Sequence, residues 1–208
     1  MRLSYPIASF IFLFIGGQIL AQSNEECIQN LSIFAEFAKV KNYDSAYEPW
    51  EKVRVECPKL NVAIYSYGEK ILQNKIKNSS GAEQEAFKNT LIELYQAWGD
   101  NFPTRKGKNR IGSILSSKAQ SFLDFKIGSK MEAYQTFDKA FIEDPNSFTN
   151  PKRLYNYFKT LFDLYKAGDQ GVTMEQLFNK YEEVSEKFEV ESIKLAKNLD
   201  KILKKEES

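Results

Sequence analysis

The sequence contains no histidine, and only two cysteines, six prolines and ten glycines occur among its 208 residues. The absence of His excludes Ser-His-Asp and Cys-His catalysis, together with every metal site that uses an imidazole ligand. Two cysteines cannot form a thiolate zinc site alone. A formal net charge of +1 gives no reason to expect a nucleic-acid partner. We therefore expect a protein without metal ligands, cofactor or catalytic residues, one that is not an enzyme.

The longest apolar run lies close to the N-terminus and predicts an export signal over residues 1–22. Arg2 supplies the short positive start, and residues 7–20 supply the apolar segment. This segment is shorter than the roughly 20 residues that a membrane-spanning helix needs. Ala21 is the small residue after which we expect cleavage, and the alternative is an uncleaved anchor.

The residues after this signal argue against lipid attachment. Cys27 follows Asn24, Glu25 and Glu26, whereas a lipid-modification signal needs small and apolar residues there. We therefore expect a mature protein that starts at Gln22, carries no lipid and has no integral membrane segment. Its expected location is the periplasm or the cell exterior.

Apolar residues recur three and four positions apart through the rest of the chain, a spacing that predicts α-helices. Glycine and proline fall between these segments, where helices would end. Short connections favour antiparallel packing of successive helices. The sequence thus predicts an all-α protein of four helix pairs, with helices at 24–40, 43–56, 61–78, 82–98, 111–126, 130–143, 152–167 and 173–205.

Two segments of the chain, 41–58 and 128–145, repeat one pattern. Each has Ala, then an aromatic residue four positions later, a small or β-branched residue three later, and Pro five later. Ala allows two helix backbones to approach, the aromatic ring fills the groove one turn on, and Pro ends the helix. The matching residues are Ala46, Trp50, Val53 and Pro58 in the first segment, and Ala133, Phe137, Ala140 and Pro145 in the second.

This pattern resembles the second helix of tetratricopeptide (TPR) repeats, and Gly68 in the following helix resembles the glycine of a TPR first helix. The chain as a whole is similar to exported TPR proteins of Bacteroidetes-type bacteria. The resemblance implies a TPR-like right-handed superhelical stack of antiparallel helix pairs over 23–170. A long C-terminal helix over 171–208 would be a cap or a truncated continuation of the stack.

Two residues depart from the family pattern. Phe34 stands where a first helix has a small residue, so we expect looser or tilted packing there. Pro49 lies inside the second helix of the first pair and predicts a kink, or a helix that begins later.

The resemblance implies a non-catalytic scaffold for protein–protein interaction in the bacterial cell envelope. Its concave face, lined by the first helix of each pair, would bind a segment of another envelope or secreted protein. The family pattern assigns partner binding to Lys39, Tyr65, Glu69, Gln73, Lys118, Phe122 and Lys126. The alternative for each of these residues is a place on an ordinary helix surface, or in the core for the aromatic ones.

A helical-scaffold enzyme or a periplasmic protein that binds a small ligand is the alternative function. Carboxylate pairs such as Glu182/Glu186 and Asp138/Glu143 could act as acid and base, but i,i+4 charge pairing on solvated helix faces explains them equally well. The basic segment 104–110 could meet an acidic partner or serve as a soluble connector.

Cys27 and Cys57 lie at the start of the first helix and at the end of the second, two ends that are neighbours in an antiparallel pair. Export would place them in an oxidising compartment. We therefore predict a Cys27–Cys57 disulfide, and the alternative is two unrelated cysteines.

Overall fold

The computed structural model describes the backbone of residues 15–168 and 171–206, and the side chains of residues 24–168 and 171–201. The part of the predicted export signal at residues 1–14 lies outside this description. The described backbone is all-α apart from one short hairpin. Its helices are α1 (Ile15–Lys39), α2 (Tyr43–Glu56), α3 (Ala63–Asn78), α4 (Gly81–Asn101), α5 (Ile111–Phe125), α6 (Lys130–Glu143), α7 (Pro151–Lys166) and α8 (Met174–Glu206).

The chain divides into two compact units, Met1–Lys75 and Ile76–Ser208, with the boundary inside α3. The first unit contains α1, α2 and most of α3. The second contains the last residues of α3 and helices α4 to α8.

The two segments that share the Ala–aromatic–small–Pro pattern form helices of the same length at equivalent positions. Helices α2 and α6 both have 14 residues, and α6 begins and ends 87 residues after α2. Lys41 and Gly128, also 87 residues apart, both have positive φ, at 62° and 61°. Side chains of Asn42 and Ser129 then cap the two helices. The repeat thus extends from the sequence to the backbone.

Trp50 is the central side chain of the first unit. It is fully buried, and its indole N–H donates to the carbonyl oxygen of Ile64 at 2.7 Å. A Cβ atom at Gly68 would lie only 2.5–2.7 Å from the Trp50 ring. Gly68 is therefore required for α3 to approach α2 this closely.

The disulfide between Cys27 and Cys57 is present, and it joins α1 to the end of α2 with 6.4 Å between the two Cα atoms. Below it, Phe34 is fully buried, and its ring meets the Tyr67 ring edge-on at 6.4 Å. The prediction of a disulfide-linked first pair is confirmed.

Phe137 is the central side chain of the second unit and is also fully buried. Its ring stacks on Phe148, which the loop between α6 and α7 inserts into the core, and contacts Tyr157 of α7. Ala119 of α5 packs against the same cluster. Helices α5, α6 and α7 therefore share one core.

A glycine again lies at a close backbone approach in this unit. A Cβ at Gly112 would collide with the backbone carbonyl of Asp144. The backbone N–H of Gly112 donates to the Asp144 carboxylate, and that of Ser113 donates to the Ser147 hydroxyl. The loop after α6 thus satisfies N–H groups at the start of α5 that have no partner within the helix.

Three local predictions need correction. Helix α2 begins at Tyr43, at its predicted bound, and runs through Pro49, so the later start, one of the two alternatives predicted for Pro49, is wrong. Helix α4 continues through Gly99 to Asn101. Strands Thr104–Arg105 and Lys108–Asn109 pair as a hairpin that the sequence did not predict. Lys106 and Gly107 between them both have positive φ, which suits a two-residue turn of this kind.

The last helix has the predicted length, with 33 residues. Its first half packs against α7, where the buried Val184 contacts the core around Tyr157, and Leu177 is also buried. Glu191 is its last buried side chain among those described, and residues 192–201 are half-buried or exposed. No described helix is both long enough and apolar enough to cross a membrane.

Candidate functional site

The first unit holds four of the predicted partner-binding residues, and Tyr65 is not at the surface. Its side chain is fully buried, and its hydroxyl donates to the carbonyl oxygen of Pro58 at 3.0 Å. Tyr65 belongs to the core, which corrects its assignment to partner binding. The other three are accessible: Lys39 is exposed, and Glu69 and Gln73 are half-buried neighbours whose side chains bond at 3.4 Å.

The Lys39 ammonium group illustrates the electrostatics of this surface. It contacts the Glu36 carboxylate at 2.6 Å, and this hydrogen bond raises the pKa of Lys39. Both side chains are more than half exposed. Solvent therefore screens this pair, which makes it a poor source of stability.

The second unit holds Lys118, Phe122 and Lys126 along α5 and at its end. The Lys118 ammonium lies 6.0 Å from the centre of the Phe122 ring. Burial lowers the pKa of Lys118, and the positive charge of Lys139 on α6 lowers it further. Lys126 is exposed and ends α5 in a left-handed conformation. The structure therefore brings Lys118 and Phe122 together, with Lys126 one helical turn beyond Phe122.

Sequence reasoning missed a polar row that joins α5 to α7. The Gln120 amide donates to Asp124 at 2.8 Å and accepts from the Asn156 amide at 2.7 Å. On the same two helices, the Arg153 guanidinium reaches the carbonyl oxygen of Ser113 at 3.5 Å. Lys118 and Phe122 belong to a different side of α5. The signal available in the sequence was the recurrence of polar residues every four positions along α5, at Ser116, Gln120 and Asp124.

A second polar cluster joins α6, α7 and α8 around Asp138. The Tyr157 hydroxyl donates to Asp138, and the Lys180 ammonium lies 3.1 Å from the same carboxylate oxygen. Lys180 also contacts Glu183 at 2.9 Å. Its ammonium lies 5.5 Å from the centre of the Tyr157 ring. Lys180 thus links α8 to α6 through Asp138 and to α7 through Tyr157.

The environment of this cluster shifts two pKa values upward. Burial raises the pKa of Tyr157, and its hydrogen bond to Asp138 raises it further, so the phenol stays neutral. Burial acts to lower the pKa of Lys180, but its bonds to Glu183 and Asp138 outweigh burial and raise it. Both groups therefore keep their protons at neutral pH and act as donors.

A cavity of about 360 Å³ opens beside this cluster. Its walls carry two carboxylates, one ammonium group and two amides, and about half of the lining is polar. The lining residues are Met131, Tyr134, Asp138, Leu161, Gly171, Val172, Gln176, Asn179, Lys180 and Glu183.

Of the carboxylate pairs considered as acid and base, Asp138 and Glu143 each have a different partner. Asp138 bonds to Tyr157 and Lys180, whereas Glu143 contacts Lys139 at 3.7 Å. In α8, Glu191 accepts from Lys187 and Lys194, each at 2.9 Å. Within the described residues, no group of three or more Cys, Asp or Glu side chains could hold a metal ion.

The basic segment is the exposed hairpin itself. Arg105, Lys106, Lys108 and Arg110 are all exposed. The Arg110 guanidinium donates to the hydroxyl of the nearby Ser113 at 3.3 Å.

Comparison with known proteins finds no matching family model, no matching curated protein and no matching solved structure.

Proposed function

We propose that this protein is an exported, non-catalytic scaffold of TPR-like helix pairs that binds a segment of another envelope or secreted protein. The observation that carries the proposal is the repeated helix pair. Helices α2 and α6 have the same length, an equivalent positive-φ residue before the cap, and a fully buried ring at the same position. Stacked pairs of this kind present a continuous surface of first helices to a partner.

The export part of the proposal is supported by the Cys27–Cys57 disulfide, because such bonds persist in oxidising compartments. Helix α1 begins at Ile15, so its backbone runs across the proposed cleavage site after Ala21. Mass spectrometry of protein from the cell envelope tests this directly. We expect a chain that starts at Gln22, and a chain that retains Met1 would contradict cleavage.

We propose a separate partner-binding surface on each unit: Lys39, Glu69 and Gln73 in the first, and Lys118, Phe122 and Lys126 in the second. We expect charge reversal by Glu69→Lys and Lys118→Glu to weaken capture of the envelope partner while leaving the circular dichroism spectrum unchanged. Glu143→Lys is the matched control, since it reverses an exposed charge on a second helix. Equal capture by the double variant and the wild type would contradict these surfaces.

The cavity beside Asp138 favours a second candidate function, the binding of a small polar ligand. Its volume suits a ligand of a few to about twenty heavy atoms. Asp138→Asn keeps an acceptor for Tyr157 while removing the charge. A small polar compound whose binding raises the melting temperature of the wild type, but not of this variant, would support this function. Unchanged melting temperatures across a library of such compounds would leave only the scaffold function.

A further inference from the structure

Helices α7 and α8 together expose an unusual number of large aromatic side chains. Tyr155 and Phe162 on α7 are 56% and 40% exposed, and Phe178 and Tyr181 on α8 are 63% and 55% exposed. Phe188 is 38% exposed. We call these five residues the α7–α8 face. Contiguous apolar patches of this kind mark interaction sites in soluble domains.

The face contains a shallow apolar cleft between the two helices. The cleft has a volume of about 130 Å³ and is lined by Tyr155, Phe158, Tyr181, Val184, Ser185 and Phe188. The rings of Phe158 and Tyr181 meet edge-on at 5.6 Å across its floor. This contact fixes the register of the two helices, which run antiparallel because the link between them is short.

Charged residues border the face with a seven-residue spacing on both helices. Three lysines follow the outer edge of α7, and the Lys166 ammonium lies 5.8 Å from the centre of the Phe162 ring. Three glutamates follow the outer edge of α8, where Glu182 and Glu189 flank Ser185 of the cleft at i−3 and i+4. All six residues are exposed: Lys152, Lys159, Lys166, Glu175, Glu182 and Glu189.

The two charged edges are in register with each other. Seven residues of α-helix span about 10.5 Å, so the spacing of charges is the same on both edges. If Phe158 and Tyr181 lie at the same height along the helix axes, the heights of Lys159 and Glu182 differ by less than one helical turn. The antiparallel direction then places Lys152 level with Glu189, and Lys166 level with Glu175.

We propose that the α7–α8 face binds a second copy of this chain about a two-fold axis parallel to the helices. Such an axis places α7 of each copy over α8 of its partner, with the aromatic rings in the centre. The lysine edge of one copy then faces the glutamate edge of the other along its whole length. A two-fold pairing is the commonest arrangement of soluble oligomers.

Charge complementarity selects this axis over its alternative. A two-fold axis across the helices would place α7 over α7, with lysines facing lysines and glutamates facing glutamates. Like charges brought together in an interface oppose association. Lys159 already bonds to Asp163 at 2.7 Å, so Lys152 and Lys166 are the better residues for a test.

Sedimentation velocity over a range of protein concentrations tests the proposal first. We expect the wild type to form a dimer, and Tyr155→Ala with Phe188→Ala to raise its dissociation constant at least about tenfold, since aromatic anchors dominate interfaces. Ile142→Ala is the matched control, because Ile142 is an exposed apolar residue on α6 and should leave the dimer unchanged.

Charge exchange tests the axis without removing apolar surface. Lys152→Glu alone and Glu189→Lys alone should each weaken the dimer about tenfold, since each places like charges opposite each other. The two changes in one chain should restore it. An equimolar mixture of the two single variants should form mixed dimers in preference to either homodimer.

Three results would overturn the proposal. The first is a wild type that stays monomeric up to about 100 μM, where even weak specific dimers form; the face would then be left for a different protein or for solvent. The second is a dimer that the aromatic substitutions do not weaken. The third is a dimer weakened by either charge change but not restored by their combination.

Discussion

Breaking the Cys27–Cys57 disulfide should destabilise the first unit by roughly 3–4 kcal/mol. The bond closes a loop with a sequence separation of 30 residues. In the chain-entropy model a loop of this length restricts the unfolded chain by that amount of free energy at 25 °C. Reduction of the wild type is the cleanest perturbation, because no side chain is replaced.

Urea denaturation followed by Trp50 fluorescence measures this change. Trp50 is fully buried in the first unit, and Trp98→Phe removes the signal of the second. With a slope of about 1–3 kcal/mol/M, we expect reduction to lower the urea midpoint by roughly 1–4 M.

A chain with Cys27→Ala and Cys57→Ala is the matched control for the reductant itself. Its urea midpoint should be lower than that of the oxidised wild type and should not change when reductant is added. A wild type whose unfolding free energy falls by less than about 1 kcal/mol on reduction would refute the reasoning, since the loop term alone exceeds that value.

Trp50→Ala and Phe137→Ala should each cost roughly 3–5 kcal/mol in urea denaturation, because both rings are fully buried, and a cost below about 1 kcal/mol would contradict their central place. Gly68→Ala should cost about 1–3 kcal/mol by the same measurement, since its Cβ would meet the Trp50 ring, whereas Gly99→Ala, also within a helix, would make only an ordinary contact and serves as the control. Stability should fall as pH rises above about 10, because the raised pKa values of Tyr157 and Lys180 favour the folded state only while both groups hold their protons. Tyr157→Phe should reduce this alkaline loss in pH-dependent thermal denaturation, since the pKa of Tyr157 is strongly raised, and an equal loss in the variant would contradict this cause.

The helix pattern could be predicted from the sequence because it depends on local spacing. Apolar residues three and four apart gave the bounds of α2 and α6 as the structure has them. The roles of Gly68 and of the two cysteines could also be predicted. A glycine within a helix pair indicates a close approach, and two Cys at adjacent helix ends indicate a disulfide.

Features that depend on distant residues could not be predicted in the same way. Phe148 lies in a loop, and nothing local shows that its ring enters the core beside Phe137. The sequence around Asp138 has the charge spacing of an ordinary solvated helix face. Its partners, however, are Tyr157 and Lys180 on two other helices. The family pattern placed Tyr65 at the surface, but its side chain is buried and its hydroxyl donates to the carbonyl oxygen of Pro58.

Site-specific photo-crosslinking in the envelope tests the scaffold function most directly. A benzophenone amino acid at Phe122, on the proposed partner surface, should yield one discrete adduct with another protein. The same group at Ile142, which is 68% exposed on α6, should yield no such adduct. No adduct from position 122, or the same adducts from both positions, would contradict the proposal that this surface binds a partner.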